Sequence, residues 1–153
     1  MTGHSPALIT DKLKAQLDKG FTTMLPIAEV NTIGKALEKR FHLPYWQICI
    51  SATDANRFAL RIARGITKRP YVVTMNYCYH GTVDETLATL DKNRKVIPRD
   101  GNLGPQVDPY YTTRVVEFND INDMENALKD KQVACVLMEP AMTNIGIILP
   151  GNF

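Results

Sequence analysis

The stretch Arg114–Met138, RVVEFNDINDMENALKDKQVACVLM, decides the fold. Arg114-Val115-Val116-Glu117-Phe118 is a short run of β-formers, so it reads as a strand. Asp120 is a helix N-cap, and Ile121, Met124, Ala127 and Leu128 recur at helical spacing behind it. Val133-Ala134-Cys135-Val136-Leu137-Met138 is apolar throughout, as expected of a strand buried on both faces. Strand, helix and strand with a crossover of suitable length mean a parallel sheet covered by helices.

Working back from that stretch, the same pattern recurs. Trp46–Ile50 reads as a strand, and a helix follows with Ala55, Phe58, Ala59, Ile62, Ala63 and Ile66 on its apolar face. Lys68-Arg69-Pro70 ends the helix, and Tyr71–Met75 is a further strand. Upstream, Ser5 as N-cap and Pro6 at the first helical position open a helix with Leu8, Ile9, Leu13 and Leu17 apolar and Gly20 after its end. Ile27, Val30, Ile33, Leu37 and Phe41 mark a second helix over about 27–41, broken by Leu43-Pro44. Thr82–Leu90 is expected to be helical, Arg99–Pro109 to be loop, and the tail from Glu139 to Phe153 irregular. The expected fold class is α/β, a parallel sheet flanked by helices, as one domain: N-terminal helices over 5–42 and an α/β core over 45–153.

Composition narrows the function. The 153 residues are 44% apolar and 22% charged, with a net charge of +2 and both signs interspersed. That excludes a disordered chain and gives no reason to expect nucleic acid or an anionic membrane. No apolar run reaches the roughly 18–20 residues of a membrane span, and the N-terminus does not read as a signal peptide. Cys49, Cys78 and Cys135 lie far apart, which argues against a disulfide framework or a zinc site and for reduced cysteines in the cytoplasm. Cys78 and His80 are two apart with nothing nearby to complete a metal shell.

Parallel sheets bind ligands at the carboxyl ends of their strands, which singles out three turns. Ser51-Ala52-Thr53-Asp54-Ala55-Asn56 opens a helix, where free N–H groups and the helix dipole attract anions, with Thr53 as a hydroxyl donor. By itself that turn also serves as a plain helix cap. Tyr77-Cys78-Tyr79-His80-Gly81 offers a ring that could stack on a flat heterocycle; the other reading is a Tyr half-buried over the sheet edge. Glu139-Pro140-Ala141-Met142-Thr143-Asn144 places a carboxylate after a buried strand, which is costly unless it binds something, a neighbouring Arg included. Three polar turns at one end of one sheet point to a ligand site.

These residues carry a family resemblance. Ser51-Ala52-Thr53-Asp54-Ala55 with Leu60-Arg61-Ile62-Ala63-Arg64, then Tyr79-His80-Gly81, then Glu139, Pro140, Asn144 and Gly146 resemble, in order and spacing, the motifs of the class III pyridoxal-phosphate-dependent aminotransferases, a group that includes glutamate-1-semialdehyde aminomutase. Gly3-His4-Ser5-Pro6 is similar to the family's stretch before its first large-domain helix. The resemblance implies part of the large, cofactor-binding domain of a fold-type I enzyme, with pyridoxal 5'-phosphate as cofactor, a small-molecule amino donor and oxo acceptor as partners, and a homodimer. It assigns Ser51, Ala52 and Thr53 to the phosphate, Tyr79 to the ring, Asn144 to the ring's phenolic oxygen, Glu139 to organising the pocket or substrate, and His80 to a place beside them. Two departures stand out: Ala52 replaces a Gly, and Asp54 replaces a Glu. The resemblance also implies a Schiff-base Lys and an Asp for the ring nitrogen. Neither has a counterpart among these residues, and the opening strands that the family carries before Gly3-His4-Ser5-Pro6 are missing too, so the stretch reads as truncated at both ends and inactive by itself. The resemblance implies transfer of an amino group between that donor and acceptor; the alternatives are a glutamate-1-semialdehyde-type aminomutase and a non-catalytic phosphate-binding or interaction module.

Overall fold

The computed structural model describes residues 4–20 and 22–151. Gly3, part of the first motif, lies outside them. The chain divides into two compact units, Met1–Gln47 and Ile48–Phe153.

The first unit holds two helices, α1 (Ala7–Leu17) and α2 (Ala28–Phe41). Pro6, in an extended conformation, is itself the N-cap of α1, and no side chain caps the helix. The Ser5 hydroxyl instead meets Thr10 Oγ1 at 3.3 Å, so the expected Ser cap is displaced. Helix α2 matches its apolar period, and His42 ends it in the left-handed region. Neither helix contains a buried residue.

The strand expected over Trp46–Ile50 does not form. The Trp46 ring tilts against Phe41 with centroids 5.4 Å apart, and its indole N–H donates to the Leu43 carbonyl at 2.8 Å. Those local contacts fold the segment's start back onto the end of α2, and the boundary between the units falls directly after it.

The second unit is built on a three-stranded parallel sheet of β1 (Tyr71–Met75), β4 (Thr113–Val116) and β5 (Val133–Leu137), in the order β4-β1-β5. Helix α3 (Ala52–Thr67) precedes β1, and α4 (Ile121–Leu128) joins β4 to β5, which lie on opposite sides of β1. Alternation along β1 supplies both faces of the sheet. Val73 and Met75 join Cys78, Val116, Val133 and Met142 in a core flanked by Met124 and Ala127 of α4. Val72 joins Leu60 of α3 and Val83 in a second.

Three expectations are corrected. Residues 82–90 form no α-helix: a 3-10 turn at Asp84–Thr86 leads into β2 (Ala88–Leu90), paired antiparallel with β3 (Val96–Pro98). The Asp91 carboxylate accepts from the N–H groups of Asn93 and Lys95, both at 2.8 Å, and that turn closes the hairpin. Strand β5 is an edge strand with Val136 38% exposed, so it is not buried on both faces. Helix α3 exposes the face expected to be buried. Phe58, Ile62 and Ile66 are exposed, while Leu60 is buried. Polar partners fix that rotation. Arg64 pairs with Glu85 and donates to the Pro70 carbonyl, and Asn56 donates to the His80 carbonyl.

Candidate functional site

The site forms where β1 and β5 end and α3 begins. Ser51 is the N-cap of α3: its hydroxyl accepts from the Asp54 N–H at 3.1 Å and donates to the Asp54 carboxylate at 2.7 Å. The shorter Asp54 therefore completes a reciprocal cap. The Ala55 N–H donates to the Ser51 carbonyl, so the N–H groups of Ala52 and Thr53 are the two that helix geometry leaves over. Ala52 is absent from the residues with positive φ, so a Cβ is compatible with the turn where the family carries Gly.

The turn after β1 lies against this helix end. The Thr82 N–H donates to Thr53 Oγ1 at 3.2 Å, and the Asn56 amide donates to the His80 carbonyl at 2.8 Å. Between them Gly81 has φ +85°, and a Cβ there would stand 2.2 Å from Thr53 Oγ1. The Thr53 hydroxyl is thus already engaged as an acceptor, with its own proton left to donate. Side chains alternate along the turn: Cys78 is 1% exposed, in the core with its sulfur 2.8 Å from Thr74 Oγ1, whereas Tyr79 is 53% exposed. Burial pushes the Cys78 thiol up. Tyr77, with φ 61°, takes a left-handed conformation, and its carbonyl accepts from the Asn144 amide at 3.0 Å. Arg99 donates to the Cys78 carbonyl.

The turn after β5 carries Glu139 and Asn144. One Glu139 oxygen accepts from the Thr143 N–H at 3.0 Å and from its hydroxyl; the other, Oε1, is buried with no hydrogen-bond partner. Thr143, and no Arg, is the partner of this carboxylate. His80 Nε2 is likewise buried and unpartnered. Burial lowers the His80 pKa below that of an ordinary histidine, against the opposing pull of the Glu139 charge and a backbone hydrogen bond at Leu137. The imidazole is therefore neutral at pH 7.

All seven residues singled out from the sequence lie on these three connected turns. Two contributors were not singled out: Asn56 and Arg99, which donate to the carbonyls of His80 and Cys78. Asn56 closes the first turn, but its partner lies 24 residues on, and nothing local assigns it a role. No group of three or more His, Cys, Asp and Glu among the described residues could hold a metal.

The profile of the family Aminotransferase class-III matches residues 1–152. The chain belongs to that family. A glutamate-1-semialdehyde 2,1-aminomutase of Thermodesulfovibrio yellowstonii is 34% identical over 151 residues, 97% of this chain and 35% of the relative. The crystal structure of a glutamate-1-semialdehyde aminomutase from Pseudomonas aeruginosa superposes with a TM-score of 0.94 and 44% identity, over 99% of this chain and 33% of that one. A further structure of that protein is a complex with PMP. An omega-transaminase from Sphaerobacter thermophilus, at 24% identity and a TM-score of 0.82 over 97% of this chain and 36% of that one, shares the fold. This class III chain spans about a third of the length of the relatives it matches.

Proposed function

We propose that this chain forms part of an enzyme that binds pyridoxal 5'-phosphate and transfers an amino group between an amino acid or amine and an oxo acid or aldehyde. The observation that carries the reading is the convergence of three unlike recognition elements, tied together by hydrogen bonds. These are the free N–H end of α3, the half-exposed Tyr79 ring and the Asn144 amide. The fit to the cofactor is chemical as well. Helix-end N–H groups suit a phosphate, and a flat heterocycle suits the open face of a tyrosine. The buried, unpartnered His80 Nε2 and Glu139 Oε1 are polar atoms that still lack the hydrogen bonds such burial demands.

When bound, the cofactor supplies an electron sink for the pair released at the carbon beside the amine. In this reading the chain's own residues bind and orient it. Ala52 and Thr53 hold the phosphate through their N–H groups, with the Thr53 hydroxyl proton as a further donor. Tyr79 would stack on the ring, and Asn144 would hold the phenolic oxygen. Glu139 and the neutral His80 complete the polar wall. The names of the relatives favour an aminomutase as the second reading, in which both positions of the amino group lie in one substrate. The reading extends to a homodimer in the cytoplasm; the exposed apolar stripe of α3 supports the dimer.

The test compares Tyr79→Ala, Tyr79→Phe and Cys78→Ala for cofactor dissociation, followed by absorbance. Loss of stacking is worth on the order of 1 kcal/mol, about fivefold in affinity. Tyr79→Ala should show it, while Tyr79→Phe keeps the ring and Cys78→Ala removes a side chain that points into the core. Equal affinities for the Tyr79→Ala and Cys78→Ala variants would remove the ring from the site. Residues 1–153 offer no Lys in the family's pattern, so by themselves, with an amino donor and added cofactor, they should turn over at the rate of free cofactor. A clear excess above that rate contradicts this part of the proposal.

A further inference from the structure

The phosphate and the ring of one cofactor are joined by a short covalent arm, so the groups that hold them must stand at a fixed spacing. In this protein those groups belong to different elements. The phosphate N–H groups open α3, and Tyr79 sits on the turn after β1. A ligand that bridges two subsites gains from both only where their separation is set in advance, because otherwise part of the interaction energy goes into ordering the protein.

Two side chains reach directly from the first element to the second, Thr53 and Asn56. Asn56 lies on α3, three residues beyond Thr53 and on the same side of the helix. Its amide donates to the carbonyl of His80, the residue that follows Tyr79, at 2.8 Å in a half-buried setting. Beside it the Thr82 N–H donates to Thr53 Oγ1, and Gly81 between them leaves no room for a Cβ. The Thr53 contact is made by the proposed phosphate residue itself. The Asn56 contact is made by a residue with no cofactor group to hold.

We propose that Asn56 is a positioning residue: its hydrogen bond to the His80 carbonyl sets the spacing between the phosphate-binding end of α3 and the stacking ring of Tyr79. This rests on the cofactor reading above. An amide suits the task because it donates to a carbonyl while staying neutral beside a helix end that must accept an anion. A carboxylate at this position would bring a negative charge to that end and no donor.

The consequence is specific to a joined ligand. Asn56→Leu keeps the approximate shape and removes the donor. It should weaken binding of pyridoxal 5'-phosphate about five- to tenfold, the range expected for one net hydrogen bond. Binding of pyridoxal alone and of inorganic phosphate alone, each of which fills one subsite, should stay within about twofold of wild type. Affinities are measured in the whole protein, by absorbance for the cofactor and by competition for the two fragments. Thermal unfolding establishes that the variant is folded; if it is not, Asn56→Ala is used in its place. An unchanged cofactor affinity, or an equal loss for all three ligands, overturns the assignment of Asn56. A wild-type protein that binds no pyridoxal 5'-phosphate overturns the proposed function and this inference together, whereas normal wild-type binding with an unaffected variant overturns the inference alone.

Discussion

Gly81→Ala is expected to destabilise the protein by about 2–5 kcal/mol and to weaken cofactor binding well beyond the effect of Tyr79→Ala. Two penalties meet at this position. Its φ of +85° lies in the left-handed region, which costs a residue with a Cβ roughly 1–2 kcal/mol. The added Cβ would also stand 2.2 Å from Thr53 Oγ1 and 3.0 Å from Thr53 Cα. Part of the obstacle is therefore helix backbone, which cannot swing aside as a long side chain would, and overpacking of this kind costs about 1–3 kcal/mol. Relief requires the turn after β1 to move off α3, breaking the Thr82–Thr53 contact and shifting Tyr79 with it. Chemical unfolding and cofactor titration measure the two effects. Gly65→Ala is the control, since a Cβ there meets nothing within 4 Å and the residue is helical; it should stabilise by about 0.5–1 kcal/mol. A Gly81→Ala loss under about 1 kcal/mol contradicts the close approach.

Met142→Ala is expected to cost about 2–5 kcal/mol, the range for truncating a buried methionine. Met142 is 1% exposed in the core with Val73, Met75 and Cys78. It also anchors the last turn, because its N–H and carbonyl both bond to Ile148 at 3.0 Å. That bridge closes the loop that carries Asn144, so the cavity should loosen the Asn144 contact to Tyr77 and lower cofactor affinity too. Ile147→Ala, on the same loop but exposed, should lie within about 0.5 kcal/mol of wild type. Equal unfolding midpoints for the two variants would mean that Met142 is not the anchor.

The elements legible in the sequence are those whose pattern is local. Helix α2 and strands β1, β4 and β5 follow the period of their apolar residues, and Asp120 caps α4 as its type suggests. The errors occur where particular side-chain contacts override the apolar period. Trp46 looks like the start of a strand, yet Phe41 and the Leu43 carbonyl claim its ring. The apolar stripe of α3 looks like its buried face, yet Arg64 and Asn56 find partners in Glu85 and the His80 carbonyl and turn that stripe outward. Residues 88–90 join a hairpin because Asp91 closes a turn behind them, a signal weaker than helical spacing. The candidate site was legible as three turns because strand ends concentrate polar residues there. The bonds between the turns were not, because Asn56, Arg99 and Thr82 each reach a partner that the sequence does not mark.

The strand order β4-β1-β5 also fixes a sequence of events during synthesis. The central strand emerges first and both of its neighbours come later, separated from it by the hairpin and then by α4. Until residue 137 has left the ribosome, β1 lacks one of its two ladders, and its contacts are with chain far away in sequence. Pairings of that kind form slowly and leave strand edges open meanwhile. The turn bearing Tyr79 hangs from the end of this late-completed strand, so the ring reaches its final position only after almost the whole second unit has been made.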